Sequence, residues 1–380
     1  MHKKFYNFPF SNKNCDLISE ISETILKNKN YRKFPDLVTF AFWCRKNNIK
    51  RIKSTYHLEN RVGRGEVFHI TPSNVPLNFA YSFSFSFLAG NSNIVKVSNK
   101  NFEQSDILIK IIKSFFKKKK YKEFRNNNKF IRYKDNEMKT KILSKNADVR
   151  MIWGGDSTIY NLKKLETNPK CLDLTFPDRN SLSVINVDKL KSLSKKNFDK
   201  LVDDFYNDTY LYNQFACSSP SLIIWVGLYK NSLVEKFWKS LNEKIKKNYR
   251  LEDKEILKKY ENKVSLLLEN KKISFNKLST SNIYRFNFNK PENDIPEYKV
   301  GYGAFIEIKS SNLKILKKII TKKHQTLTYF GFEKKFLKKE ILNFFLPGID
   351  RIVPIGNAID MDIKWDGHDL IYSLTRYISD

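Results

Sequence analysis

Cysteine and histidine are scarce in this chain: 4 and 5 residues of 380. Cys15, Cys44, Cys171 and Cys217 have no CxxC spacing. That excludes a zinc scaffold and a disulfide framework, and a reducing, cytoplasmic compartment is the expectation. No apolar run reaches the ~18 residues of a membrane-crossing helix; "FAYSFSFSFLAG" is too short and carries serines. The basic start "MHKKFYNFPF" leads into no apolar stretch long enough for a signal peptide. Internal repeats and Pro/Gly/Ser linkers are missing, so composition marks no domain boundary. GxxxxGK[ST], HExxH and GxSxG are absent as well. "GRGEVF" (63–68) and "GYGAFI" (301–306) carry GxG without a third glycine, and the first precedes a strand, so the dinucleotide fingerprint is not met.

What is present is material for a core. Hydrophobic residues make up 41% and aromatics 14%, which argues against global disorder, and the length suits two domains. The formal charge is +30, from 70 Lys and Arg against 40 Asp and Glu. The lysines are scattered among Asn, Ile and Phe through nearly every segment, the pattern of an AT-rich coding bias. No nucleic-acid module accompanies them, so a nucleic-acid partner is not expected. A basic surface still favours anionic substrates such as CoA esters or nucleotide phosphates. The densest run, "FFKKKKYKEFRNNNKF" (115–130), reads as a solvated loop.

Periodicity supplies the organisation. "DLISEISETILKN" and "FPDLVTFAFWCRKNN" repeat apolar residues at three and four, as helices do. Strands are expected at 66–70 and 93–98, with the small-residue apolar helix "LNFAYSFSFSFLAG" between them and an amphipathic helix after the second. This is a βαβ unit of parallel sheet. Further strands are expected at 147–155, 181–186, 221–227 and 349–356.

Four positions at the ends of these strands stand out. Asn74 lies in the turn "TPSNVP", Lys96 near the end of the second strand, Gly154–Gly155 before a helix beginning "DST", and Cys217 in "NQFACSSP". Each has an ordinary explanation: a turn asparagine, a solvated lysine, a tight turn, an inert thiol. Their recurrence at strand ends in one α/β order favours a site.

The same segments carry a resemblance. "TPSNVPLNFAYSFSFSFLAGNSNIVKVSNK", "WGGDST" and "NQFACSSP" resemble the asparagine turn, lysine–proline–serine strand, glycine–serine–threonine turn and nucleophile turn of aldehyde dehydrogenases. "DVRMIWGGDSTI", "LTFPDRNSLSVIN", "GIDRIVPIGNAIDM" and "WDGHDLI" look more closely like the long-chain acyl-CoA reductases of the LuxC family, from about residue 60 onward. The resemblance implies an α/β, aldehyde dehydrogenase-like fold, with a Rossmann-like cofactor domain and a second α/β catalytic domain. These are expected at 1–209, with the N-terminal helices, and at 210–380. It implies Cys217 as the nucleophile and Asn74, with the Cys217 N–H, as oxyanion donors. Lys96, Ser98, Asn99, Gly155 and Ser157 are the implied cofactor residues. Asn99 and Lys100 stand where NAD-preferring relatives carry a glutamate, so the cofactor is expected to be NADPH.

The implied reaction is reduction of a fatty acyl thioester to the aldehyde through a cysteine acyl-enzyme. The donor is an acyl-CoA or an acylated partner protein, with an acyl-protein synthetase as the suggested partner. The glutamate that activates water in aldehyde-oxidising relatives falls on Phe176, with Asp173 and Asp178 close by. Two alternatives remain: an aldehyde dehydrogenase forming acid, and a non-catalytic basic binding protein. Self-association is left open, and an integral membrane protein is not expected.

Overall fold

The computed structural model describes residues 7–134, 137–228, 231–288 and 299–380. Residues 1–6, part of the basic start read above, lie outside them. The chain forms two compact units: 1–177 with 361–380, and 178–360. The sequence places a single boundary at 209/210. The change of unit instead falls between two strands that join different sheets, and the last twenty residues return to the first unit because Thr375–Tyr377 pairs with Arg61–Gly63.

The first unit opens with α1 (Asn12–Lys27), α2 (Pro35–Trp43) and α3 (Lys46–Lys53). Ser11 caps α1 by accepting from Asn14 N–H, and Leu17, Ile18, Ile21 and Ile25 form its buried stripe. Strand β1 is Arg61–Gly63. The sheet strands are β2 (Glu66–Ile70), β3 (Ser92–Lys96), β4 (Asn128–Ile131), β5 (Val149–Trp153) and β6 (Leu172–Phe176). Among the described residues they form a parallel sheet in the order β4-β3-β2-β5-β6. Helix α4 (Asn78–Leu88) is buried along its whole length. Its alternating serines allow close packing, and Ser82 accepts from Trp153 Nε1 (3.0 Å) and contacts His69 Nδ1 (2.8 Å).

Helix α5 (Glu103–Lys117) buries Leu108, Ile111, Ile112 and Phe115, as its spacing predicts. The lysine-rich segment after it is not a free loop. It forms a short turn, α6 (Phe124–Asn127) and β4, and Lys120 pairs with Asp16 and Glu20 at 3.0 Å each. Helices α7 (Glu137–Asn146) and α8 (Asp156–Lys163) flank β5 in sequence.

The second unit starts with β7 (Asn180–Asn186), α9 (Val187–Lys191), α10 (Lys195–Tyr210) and β8 (Pro220–Val226). It continues with α11 (Asn231–Asn248), α12 (Asp253–Glu269), β9 (Ile273–Phe275), β10 (Tyr284–Phe288), β11 (Ala304–Ser310), β12 (His324–Phe330) and β13 (Arg351–Pro354). The sheet order is β13-β12-β7-β8-β11-β10-β9 among the described residues. All pairs are parallel except β9 with β10. Strands β7, β8 and β11 are buried on both faces, as central parallel strands are. One buried charge anchors β11: Glu307 accepts from Trp225 and Trp238 Nε1 (2.8 and 2.9 Å) and from Arg285 Nε (2.6 Å).

Candidate active site

Of the site residues singled out by sequence, the first unit carries all but one, and the second carries Cys217. In the first unit they gather at the carboxyl edge of the parallel sheet. Strands β2 and β5 are neighbours, and the connection leaving β2 runs to β3 on one side while that leaving β5 runs to β6 on the other. Such a switch point is where open α/β sheets receive ligands. Asn74 sits exposed in the connection after β2. Thr71 ties that connection to β3, its Oγ1 donating to the carbonyl of Lys96 (2.8 Å).

Lys96 ends β3, with its ammonium 4.7 Å from the centroid of the Tyr133 ring. Asn99 donates to the Tyr133 carbonyl (3.0 Å), and Arg132 Nε donates to the Ser98 carbonyl (3.1 Å). The 98–100 turn is therefore held against the exit of β4. A cavity of about 240 Å³ opens beside Val97, lined in part by Lys110, Lys113, Phe130 and Arg132. Gly155 caps α8 with no side-chain bond, and Ser157 is exposed in its first turn. Asp156 in that turn already complements the positive helix end.

At the end of β6, Phe176 is buried and stacks on Trp153, centroids 3.7 Å apart. Asp173 is committed elsewhere. Both its oxygens accept from the buried Arg150, at 2.7 Å (Nε) and 2.6 Å (Nη2).

In the second unit Cys217 lies at the opposite kind of edge. The loop 211–219 enters β8 at its amino end, beside the starts of β7, β11 and β12. The loop is tightly braced. Asn213 and Gln214 both have left-handed backbones (φ 51° and 66°). Gln214 is fully buried and uses its amide four times. Its nitrogen donates to the carbonyls of Pro220 (2.9 Å) and Ala304 (3.0 Å), and its oxygen accepts from Gly303 and Ala304 N–H (3.1 and 3.0 Å). Asn213 donates to Glu255 (2.8 Å) and accepts from the Tyr249 hydroxyl (2.8 Å).

The "GYG" segment is the surface against which this loop closes. A Cβ on Gly301 would come within 2.3 Å of the Phe215 ring, and one on Gly303 within 2.3 Å of the Tyr210 hydroxyl. Both have φ of +78°, which glycine alone adopts at no steric cost.

The Cys217 carbonyl accepts from Ser181 Oγ (2.8 Å) and Lys299 Nζ (3.3 Å). Lys299 also donates to the carbonyls of Ala216 (2.6 Å) and Ser219 (3.1 Å). Burial lowers its pKa to about 8, against raising contributions from Cys217 and Asp178. Below that pH it is a cation. Burial also pushes His324, at the start of β12, down to about 4, so this imidazole is neutral near pH 7.

The remaining thiols sit in different surroundings. Burial raises Cys15 to about 11, Cys44 well above its ordinary value, and Cys171 as well. These three stay protonated at neutral pH.

Comparison with known proteins now places the chain. Its sequence matches the family Acyl-CoA reductase (LuxC) over residues 10–379. The chain belongs to that family. It is an acyl-CoA reductase, an enzyme that reduces fatty acyl groups to aldehydes. No curated protein sequence matches it.

Solved structures that resemble this acyl-CoA reductase include members of the aldehyde dehydrogenase superfamily. One is 1-pyrroline-5-carboxylate dehydrogenase from Thermus with bound NAD (TM-score 0.67, 10% identity, covering 97% of this chain and 81% of that one). Another is aldehyde dehydrogenase 21 from Physcomitrella patens in complex with succinate (0.65, 10%, 96% and 84%). A third is the glyceraldehyde-3-phosphate dehydrogenase GapN from Methanocaldococcus jannaschii complexed with NADP (0.63, 13%, 97% and 89%). At these identities the likeness is one of fold, and it bears out the aldehyde dehydrogenase-like α/β architecture. Among the described residues no helix is long and apolar enough to cross a membrane.

For this reductase the structure brings Asn74, Lys96, Ser98, Asn99, Gly155 and Ser157 to one sheet edge of the first unit, and sets Cys217 in the second. Sequence reasoning missed Lys299, Ser181 and the role of the second GxG. Glycines at two-residue spacing were the available signal for a strained turn. Lys299 had none, being one cation among 70 Lys and Arg.

Proposed function

We propose that this acyl-CoA reductase works through a covalent thioester on Cys217 and prefers NADPH. The observation that carries the reading is the braced cysteine loop. A buried glutamine with four hydrogen bonds holds the turn, so Cys217 is fixed in place while remaining only partly buried. A thiolate can attack the acyl thioester carbonyl, expelling the CoA thiolate, which takes up a proton. The acyl group then sits on sulfur, where its carbonyl stays electrophilic. Asn74 and the Cys217 N–H are the donors assigned to the oxyanion; a neutral amide suits this because a passing thiolate cannot deprotonate it.

A nicotinamide cofactor, present in two of the similar structures, supplies the hydride. The switch-point edge of the first unit fits such a group. Lys96, Ser98 and Asn99 lie at the end of β3, and Gly155 and Ser157 follow β5 on the other side of β2, at a helix start with no side-chain cap. The preference for NADPH rests on Asn99 and Lys100, which offer no carboxylate to repel a 2′-phosphate. Lys110 and Lys113 line the cavity beside Val97, where the carboxylate of Asp106 is paired with Arg132 (2.7 Å).

Reduction is favoured over hydrolysis because the position of the usual base is filled by Phe176, which cannot take a proton, and the nearby Asp173 is held in its bidentate pair with Arg150. Asp178, which acts on Lys299 beside Cys217, is the carboxylate that the measurement of free fatty acid addresses. The acyl donor is a fatty acyl-CoA or an acylated protein partner such as an acyl-protein synthetase.

The test incubates the protein with radiolabelled acyl-CoA, then adds either hydroxylamine or NADPH. The expected result is a hydroxylamine-labile label on Cys217 that NADPH releases as aldehyde faster than NADH does. Free fatty acid appearing as fast as NADPH-driven aldehyde would overturn the reductive reading. An acylated partner protein replaces acyl-CoA in a parallel arm to distinguish the donors.

A further inference from the structure

Lys299 holds an unusual position. Its ammonium is aimed into the bend of the cysteine loop and donates to three of its carbonyls, those of Ala216, Cys217 and Ser219. The peptide joining Ala216 to Cys217 is trans, as all the described peptides are. In a trans peptide the carbonyl and the N–H point in opposite directions. The Ala216 carbonyl accepts from Lys299 Nζ (2.6 Å) and from Ser219 N–H (3.0 Å), so the Cys217 N–H lies at the opposite edge of the peptide and points away from Lys299.

The electrostatic setting gives the cation a second consequence. Cys217 lies in the loop at the amino edge of the second sheet, seven residues beyond the end of α10 at Tyr210. The cationic charge beside it comes from a side chain, Lys299. The other ionisable groups facing this region are Asp178, which acts on Lys299, and His324, on which Arg179 and Lys299 act. Arg179 is itself paired with Asp350 (2.9 Å).

We infer that Lys299 is a positioning residue for the chemistry at Cys217. It orients the Ala216–Cys217 peptide so that the Cys217 N–H serves as an oxyanion donor, and its charge stabilises the thiolate. This rests on the reading of Cys217 as the nucleophile.

The experiment follows alkylation of Cys217 by iodoacetamide across pH, resolved by peptide mass spectrometry, in the wild-type chain and in Lys299→Met, Lys299→Gln and Lys299→Arg. Loss of the cation should raise the pH of half-maximal alkylation by about one unit, the lower end of the effect of a nearby opposite charge. At pH 7 that is a roughly tenfold slower reaction. The Lys299→Arg variant, which keeps the charge, should stay within a few tenths of a unit of wild type. Turnover with acyl-CoA should fall in Lys299→Met with KM little changed.

An unchanged alkylation profile in a folded Lys299→Met variant, or a Lys299→Arg profile matching that of Lys299→Met, would overturn the inference. Should Lys299→Met fail to fold, Lys299→Gln decides by the same profile, since it retains a donor for the loop carbonyls. Iodoacetamide needs no acyl donor. A profile that moves while acyl labelling of Cys217 fails would sink the nucleophile reading and leave the electrostatic role standing.

Discussion

The two sheets of this reductase present their candidate residues at opposite edges. In the first unit they lie at the carboxyl ends of parallel strands, in exposed connections held by a few hydrogen bonds. In the second, Cys217 lies at the amino end of β8, in a loop braced by buried Gln214, by Ser181 and by Lys299. The difference follows from what each edge offers. Carboxyl edges come with the positive ends of the helices that follow, which suit a phosphate without further charged groups. An amino edge receives the carboxyl ends of helices, so anionic chemistry there needs a cation carried by a side chain. The soft edge suits a ligand that comes and goes; the braced one suits a covalent reaction that tolerates little displacement.

The largest expected effect lies at the braced edge. Cys217→Ala should abolish acyl transfer completely, while replacing Cys15, Cys44 or Cys171 leaves it intact, because burial keeps those thiols protonated. Acyl label retained by Cys217→Ala would show that the nucleophile lies elsewhere.

Gln214→Ala should come next. It strips partners from two buried carbonyls and two buried N–H groups at once. At ~1–3 kcal/mol for each orphaned group, partly recovered by relaxation, a loss of about 4 kcal/mol is expected. Urea unfolding measures it, and a loss below about 1 kcal/mol would mean the loop does not depend on this staple.

The soft edge should respond the other way round. Asn74→Ala is expected to lower kcat roughly a hundredfold, the usual size for one oxyanion donor, with the unfolding midpoint unchanged because Asn74 is exposed. Steady-state kinetics with near-normal turnover would remove Asn74 from the site.

The smallest effect separates the units by pH. In the first, His69 is buried between Ser82 and Asn93 and burial lowers its pKa to about 4. The unfolded chain binds that proton near 6.5, so stability is lost as pH falls through this window. Between pH 6.5 and 5 the loss is about 2 kcal/mol at ~1.4 kcal/mol per unit.

In the second unit His324 behaves alike, but Asp208 opposes it. Burial raises this carboxyl to about 7 despite N–H bonds from Gly356 and Ala358. A raised acid gains stability as pH falls over the same interval, so the two nearly cancel. Amide hydrogen exchange, corrected for its intrinsic pH dependence, should show the first sheet loosening on acidification more than the second. Equal loosening would break the contrast.

Much of the fold was legible. The βαβ beginning at 66 and the stripes of α1, α5 and α11 follow from apolar spacing alone, since each element buries one face. The strand at 172–176 was not read, because "LDLTF" is short and runs into a proline turn. The boundary at 209/210 had no signal in composition, and the unit changes instead at 177/178, between that unread strand and the strand at 180–186.

Among site residues, those marked by a rare type or a turn were visible: Cys217, Asn74, the paired glycines. Lys299 was hidden by abundance, and Asp173 looked available until its partner was seen. In this protein the sequence by itself determined which segments are helices and strands and which thiol stands in a reactive turn, because those depend on neighbours a few residues apart. Tertiary structure alone decided that residues 361–380 rejoin the first unit, that Arg150 occupies Asp173, and that one lysine 82 residues from Cys217 reaches its carbonyl. Those contacts span long stretches of chain, and only the packing of the sheets brings their partners within hydrogen-bonding distance.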